Sequence, residues 1–154
     1  PQSNRARARW ADFYREERLG AQLALAEKSG LATGKLRRGF ERLFARLPDL
    51  LGPEEPPARL HGDLWGGNLH TGPAGEPCLV DPAVYAGHRE IDLAMMRLFG
   101  GFGERVFQAY AEAFPLAAGY EDRVPLYQLY PLMVHVNLFG GGYVSSVERI
   151  PARY

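Results

Sequence analysis

Residues 60–68 read Leu-His-Gly-Asp-Leu-Trp-Gly-Gly-Asn, and residues 79–82 read Leu-Val-Asp-Pro. The first stretch carries a histidine, Asp63 and Asn68, and the second carries Asp81, thirteen residues after Asn68. Carboxylate and amide oxygens are hard ligands, which suit Mg²⁺ better than zinc. The two stretches therefore predict one site at which oxygen-bearing side chains meet.

The order and spacing of these side chains are those of a kinase catalytic loop followed by a metal-binding aspartate. Phosphoryl transfer requires one carboxylate beside the attacking hydroxyl, and an amide oxygen and a second carboxylate that hold divalent metal on the nucleotide phosphates. The pattern predicts Asp63 as the catalytic base. It predicts Asn68 and Asp81 as the residues that bind the metal and, through it, the nucleotide.

The His-x-Asp pair alone leaves other interpretations open. Both side chains could be metal ligands, or they could form a satisfied pair in the core. The added Asn68 and Asp81 favour the kinase pattern. The other histidines have no His-Glu-x-x-His or similar spacing that would complete a hydrolase metal site; they are His70, His88 and His135.

Five further residues near this motif are candidates for binding or support. The exposed indole of Trp65 could stack on a sugar ring or pack on the protein, and His88 and Arg89 follow Asp81 closely enough to reach a bound substrate. His61 is expected to pack under the loop and to donate a hydrogen bond that fixes its shape. Asp92 is expected to cap a helix or to brace the amides of the loop, and either role is structural.

The composition limits the classes of partner. With 154 residues the chain has the size of one domain, and its 18 basic residues balance 18 acidic ones, so no net field favours nucleic acid or a membrane surface. A small-molecule partner fits better. Cys78 is the only cysteine, and no apolar run approaches the roughly 20 residues that span a bilayer. We therefore expect a cytoplasmic protein with no nucleic-acid or membrane partner.

Hydrophobic periodicity predicts a mainly helical chain with one small β hairpin, an α+β fold. The predicted helices cover residues 10–29, 33–47, 91–99, 104–114 and about 121–138. The predicted hairpin joins residues 69–71 to residues 78–80, which would bring Asn68 and Asp81 to one metal ion. Pro48 is expected to end the second helix, no strand is expected before residue 60, and residues 1–8 are expected to form a mobile lead-in.

Several stretches together resemble the fructosamine kinase (ketosamine 3-kinase) family, a branch of the aminoglycoside phosphotransferase-like kinases. They are residues 61–68, residues 80–83, Tyr-Ala-Gly-His at 85–88, Glu-Ile-Asp-Leu-Ala at 90–94 and Phe-Gly-Gly-Phe at 99–102. The resemblance implies a protein-kinase-like fold that uses ATP and Mg²⁺. It implies transfer of the γ-phosphoryl group to a sugar hydroxyl of a ketosamine, a deglycation reaction, with Asp63 as base and Asn68 and Asp81 on the metal.

One departure from the family pattern affects the expected activity. Such kinases have an N-terminal lobe with a sheet, a phosphate-covering loop and a lysine, and nothing before residue 60 has that pattern. We expect residues 9–154 to form a C-terminal catalytic and substrate lobe alone, with little activity unless an N-terminal lobe or a second copy completes it. Two alternatives remain open: a kinase for an aminoglycoside, choline or another alcohol, and a non-catalytic module that binds a glycated amine or a partner protein.

Overall fold

The computed structural model describes residues 2–154; Pro1, part of the predicted lead-in, lies outside the described residues. The chain divides into two compact units, one comprising the chain up to Glu54 together with Gln128–Tyr154, the other Glu55–Tyr127. The helices are α1 (Trp10–Phe13), α2 (Ala21–Lys28), α3 (Gly34–Leu50), α4 (Glu90–Phe99), α5 (Glu104–Ala113), α6 (Tyr120–Phe139) and α7 (Val144–Arg149). The strands are β1 (Ala58–Leu60), β2 (Leu69–Thr71), β3 (Pro77–Leu79) and β4 (Tyr85–Gly87). The predicted mainly helical fold with small β elements is confirmed.

The first predicted helix is present, but a π-helical segment, Tyr14–Gly20, separates α1 from α2. Arg18 in this segment is fully buried, and its guanidinium donates to the backbone oxygen of Ser3 and lies 5.3 Å from the centre of the Tyr130 ring. Arg7 forms an ion pair with Glu17. Residues 2–7 have no helix or strand, and the predicted mobility of the lead-in stays a prediction.

Helix α3 begins where the sequence predicts and ends later. The hydroxyl of Thr33 accepts a hydrogen bond from Leu36 N at 3.0 Å, so the predicted N-cap is confirmed. The prediction that Pro48 ends the helix is wrong, because α3 continues to Leu50. Proline removes only its own N–H from the helix, and Leu51 N still donates to Leu47 O at 3.2 Å. Leu47 and Leu51 are buried and hold this last turn in the core.

The residues after α6 form structure that the sequence did not indicate. A short 3₁₀ turn, α7 and a second turn, Pro151–Arg153, follow Gly140. They pack on α3: a Cβ placed on Gly39 would lie 3.2 Å from the Pro151 ring, and the Thr33 hydroxyl donates to Glu148 at 2.5 Å. Val147 and Ile150 complete this core.

Two antiparallel strand pairs belong to the unit of residues 55–127. In the predicted hairpin, β2 pairs with β3, with Leu69 opposite Leu79, so the hairpin is confirmed with its second strand one residue earlier than predicted. The other pair joins β1 to β4, with Leu60 opposite Tyr85. The prediction that no strand precedes residue 60 is therefore wrong. Ala58–Leu60 is too short to show alternation, and its pairing depends on a partner that lies far along the chain.

The helices of this region follow the predicted pattern. Helix α4 is buried on most of its surface, including Met95 and Met96, as the apolar run at residues 91–99 predicts. Helices α5 and α6 lie within one residue of their predicted bounds, and α6 continues past Pro131. Among the helices that the structure describes, none has both the length and the apolar composition needed to cross a membrane.

Candidate active site

The predicted catalytic loop begins at the end of β1 and is held by the first turn of α4. Asp92 accepts hydrogen bonds from His61 N at 2.7 Å and from Gly62 N at 2.9 Å, one on each carboxylate oxygen. Of the two roles considered for Asp92, the structure shows the brace on the loop amides. Burial raises the pKa of the Asp92 carboxyl, and the two amide bonds only partly offset this effect.

Gly62 allows the loop to approach the chain that follows β3. Its φ is +81°, and a Cβ at this position would lie 2.2 Å from Ala83 O. The neighbouring backbone bond from Ala83 N to His61 O measures 2.8 Å. A side chain at position 62 would force these two segments apart. Glycine is therefore required here by the positive φ and by the close approach to Ala83.

Within the loop, Asn68 contacts Asp63 directly. The Asn68 amide nitrogen Nδ2 donates to the Asp63 carboxylate oxygen Oδ2 at 3.1 Å and to the Asp63 backbone oxygen at 2.8 Å. Asn68 is buried and Asp63 is half-buried. The amide contacts Asp63 through its nitrogen, and no described residue donates a hydrogen bond to its oxygen Oδ1. Because magnesium binds oxygen ligands, Asn68 can orient Asp63 and still offer Oδ1 to the metal.

Backbone contacts bring Asp81 to the same loop. Val80 N donates to Asn68 O at 3.0 Å, and the His61 ring nitrogen Nε2 lies 3.0 Å from Val80 O. Asp81 is exposed and has a φ of +50°, an uncommon conformation for a residue other than glycine. Strained conformations of this kind are frequent at functional sites.

Each ring nitrogen of His61 has its own partner. Nε2 faces the carbonyl oxygen of Val80 and must donate, whereas Nδ1 accepts from Asp63 N at 3.3 Å. These contacts fit the tautomer that carries its proton on Nε2. They join the loop to the segment that carries Asp81, as expected of a supporting residue.

Trp65 lies at the surface of the loop. Its side chain is 41% exposed, and its ring meets the ring of Phe99 edge to face at 6.5 Å. A Cβ placed on Gly67 would lie 2.3 Å from the indole, so the ring folds back over that glycine. The indole thus packs on the protein in part and is exposed in part, and its stacking on a sugar ring stays a prediction.

The other two predicted substrate residues are buried. His88 stacks on Tyr127 with 5.6 Å between the ring centres. Arg89 forms two hydrogen bonds with Glu55, at 2.8 and 3.0 Å, and donates to the backbone oxygens of Phe114 and Pro115. These contacts favour a structural role, and substrate contact by His88 or Arg89 stays a prediction.

The sequence did not identify a group of ion pairs at the start of α4. Arg123 forms two hydrogen bonds with the fully buried Glu90, at 2.8 and 2.6 Å. The Arg89 guanidinium beside Glu55 lowers the pKa of that carboxyl. Because the paired residues lie more than thirty positions apart, no local pattern marks them. They fix the helix turn from which Asp92 reaches the loop.

Over residues 2–154, no three or more His, Cys, Asp or Glu side chains come together as a metal-binding group. The predicted magnesium ligands comprise one carboxylate and one amide, so they do not constitute such a group. The hard-oxygen donor set of Asn68 and Asp81 fits magnesium.

A mainly helical chain that carries this loop on the end of a strand is consistent with a partial kinase-like fold. The family model described as fructosamine kinase matches residues 1–154, and the chain belongs to this family. The chain is 43% identical over 155 residues to a Lactiplantibacillus plantarum protein named "Probable ketoamine kinase", covering all of this chain and 55% of that protein. It is 41% identical over 150 residues to the "Protein-ribulosamine 3-kinase, chloroplastic" of Arabidopsis thaliana, covering 97% and 46%.

A solved structure agrees with these relatives. The crystal structure of a candidate fructosamine-3-kinase from Thermobifida fusca superposes with a TM-score of 0.91 at 43% identity, covering all of this chain and 55% of that one. The chain thus spans about half the length of the relatives that it matches. The family resemblance inferred from the sequence is confirmed.

Proposed function

We propose that the chain is the catalytic and substrate-binding half of a fructosamine-type kinase, which transfers the γ-phosphoryl group of ATP to a sugar hydroxyl of a ketosamine. Membership of a kinase family implies use of ATP, and the names of the relatives support a ketosamine substrate. The observation that carries the proposal is the hydrogen bond from Asn68 to Asp63, next to the segment that carries Asp81.

Asp63 is the base in this proposal. Its half-buried carboxylate accepts the proton of the sugar hydroxyl while the hydroxyl oxygen forms a bond to the γ-phosphorus, and ADP leaves with the electrons of the broken P–O bond. The Asn68 amide orients the carboxylate, and Asp92 and His61 hold the backbone on which it stands.

Asn68 Oδ1 and the carboxylate of Asp81 are the atoms that would hold Mg²⁺. When bound, the ion neutralises charge on the nucleotide phosphates. The chain's own contribution is to present one amide oxygen and one carboxylate from two segments that backbone hydrogen bonds keep together.

Trp65 is the residue that we assign to the sugar acceptor. Its partly exposed indole offers an apolar face, and sugar rings and apolar substituents both stack on such faces. A position beside Asp63 in the same loop suits an acceptor whose hydroxyl must reach that carboxylate.

A chimera tests the proposal directly. This chain replaces the matching 155 residues of the Lactiplantibacillus plantarum relative, and the product is assayed with ATP, Mg²⁺ and a panel of fructosamine, aminoglycoside and choline. We expect phosphorylation of the fructosamine. Asp63→Asn should lower turnover by about 10²- to 10⁴-fold with nucleotide binding nearly intact, and Asp49→Asn, at an exposed carboxylate, should leave both unchanged.

Two results would contradict these assignments. A folded chimera that ignores fructosamine and phosphorylates an aminoglycoside or choline would overturn the substrate class. Equal losses of binding and turnover in Asp63→Asn would overturn its role as base.

The chain by itself is expected to have little or no kinase activity, because it spans about half the length of the relatives that it matches and phosphoryl transfer needs further contacts to the nucleotide phosphates. Robust phosphorylation of a ketosamine by the chain alone would refute this expectation. Nucleotide binding that depends on Mg²⁺ should weaken in Asp81→Asn. A non-catalytic module that never used metal should be indifferent to that change.

A further inference from the structure

The turn that carries Trp65 and Asn68 rests on two glycines at the end of α4. Gly66 N donates to Gly100 O at 3.2 Å. A Cβ placed on Gly66 would lie 2.8 Å from the Cα atom of Gly101, and a Cβ placed on Gly101 would lie 2.4 Å from the Cα atom of Gly66. The two segments meet backbone against backbone, with no room for a methyl group on either side.

The conformation of the α4 terminus makes this approach possible. Gly100 and Gly101 have φ values of +72° and +93°, in the left-handed region that residues with side chains rarely adopt. Gly100 N still donates to Met96 O at 3.2 Å, so the turn continues directly from the helix. Met96, the residue to which Gly100 N is bonded, is buried with most of the helix before it, so the turn is attached to the buried part of α4.

The same turn determines where two of the proposed site residues stand. Asn68 N donates to Trp65 O at 2.9 Å, which closes the 3₁₀ turn Gly66–Asn68. The Trp65 indole lies over Gly67 and against Phe99, the residue that precedes the two supporting glycines. Any shift of Gly66 must therefore move the indole and the amide together.

We propose that Gly101 is a positioning residue of the site. Its bare backbone supports Gly66 and thereby sets the places of the Trp65 indole and of the Asn68 amide that orients Asp63. The consequence for phosphoryl transfer rests on the proposed function, whereas the positioning can be measured without nucleotide or substrate.

The test uses this chain in a Trp10→Phe background, in which Trp65 is the sole tryptophan. Three glycines of one segment are compared as alanine variants. Gly101→Ala adds both the backbone clash and the unfavourable φ, Gly100→Ala adds only the unfavourable φ, and Gly103→Ala adds neither, since the space around its Cβ is open. The readouts are the emission maximum and acrylamide quenching of Trp65 and the side-chain amide resonances of Asn68.

We expect Gly101→Ala to shift the Trp65 emission to longer wavelength, to raise its quenching constant and to move the Asn68 amide resonances. Gly103→Ala should match the parent in all three. Gly100→Ala should lower the melting temperature and change the spectroscopic signals less than Gly101→Ala. If Gly101→Ala does not fold, Gly66→Ala decides the question, because it introduces the same clash from the other side without a positive φ.

Parent values of all three readouts in folded Gly101→Ala or Gly66→Ala would overturn the inference, as would equal changes in Gly103→Ala. Neither result would bear on the proposed kinase activity, because no ligand is present. Conversely, an inactive chimera would refute the proposed function and leave this positioning role intact.

Discussion

Asp92→Asn is predicted to destabilise the unit of residues 55–127 through the catalytic loop. The Asp92 carboxylate has one oxygen for each of the amides of His61 and Gly62, at 2.7 and 2.9 Å. Asparagine retains one acceptor oxygen and places an NH₂ group where the second was, so one loop amide loses its partner and faces another donor.

The magnitude follows from these contacts. A hydrogen bond to a charged group contributes about 1.5–3 kcal/mol to the free energy of unfolding. Because asparagine is neutral, the variant avoids the cost of burying a charge, so we expect a net loss of about 2 kcal/mol near pH 7. For a protein of this length that loss lowers the melting temperature by roughly 4–8 °C. Urea denaturation measures the total effect, and amide hydrogen exchange at His61 and Gly62 measures it locally. Asp49→Asn, the same change at an exposed carboxylate, is the control.

The pH dependence provides a second check on Asp92. Burial raises the pKa of its carboxyl in the folded state. The part of its contribution to stability that is linked to protonation is therefore fully present below the unfolded pKa of about 4 and is lost as pH rises through the folded pKa, whereas the part that comes from the two amide contacts remains near pH 7. Since asparagine does not titrate, the stability advantage of the parent chain over Asp92→Asn should shrink over that window. An advantage that grows with pH, or a variant as stable as Asp49→Asn, would refute this reasoning.

Three other changes test the contacts that support the fold and the site. Arg123→Met leaves the buried Glu90 unpaired and should cost about 3–5 kcal/mol in urea denaturation, most of it recovered by adding Glu90→Leu. Thr33→Ala removes the α3 N-cap and should cost about 1 kcal/mol by thermal denaturation, whereas Thr33→Ser should stay near the parent. Arg89 lowers the pKa of Glu55 in the folded state. The stability that the ionised Glu55 carboxylate adds is therefore present above its unfolded-state pKa of about 4.3 and is lost as pH falls through its folded-state pKa. Urea midpoints measured at falling pH should therefore converge for the parent and Glu55→Gln.

Features that depend on nearby residues were predictable from the sequence. The Asp63 to Asn68 spacing, the hairpin that returns the chain toward Asp81, and the buried α4 all follow from short-range patterns. The Thr33 cap is likewise local, because its acceptor and donor lie three residues apart. The proposed roles of the site residues still rest on the experiments described above.

Features that depend on distant partners were not predictable. Strand β1 exists because Leu60 pairs with Tyr85, and its own three residues carry no strand pattern. The sequence left two roles open for Asp92, and only the fold shows that its carboxylate meets amides some thirty residues away. The contact between Gly66 and Gly101 is of the same kind, since each glycine alone is consistent with an ordinary turn.

Asp63 can therefore be changed without loss of the loop structure, whereas a change of Asp92 affects both the loop structure and the proposed chemistry. The loop is held by main-chain groups of His61, Gly62 and Asn68, all of which bond to residues other than the Asp63 carboxylate. Removing that carboxylate costs one hydrogen bond from the Asn68 amide, which keeps its second bond to the Asp63 backbone oxygen. A chain that has lost its proposed base should thus retain its loop, whereas a chain that has lost Asp92 should lose the backbone arrangement that gives Asp63 its position.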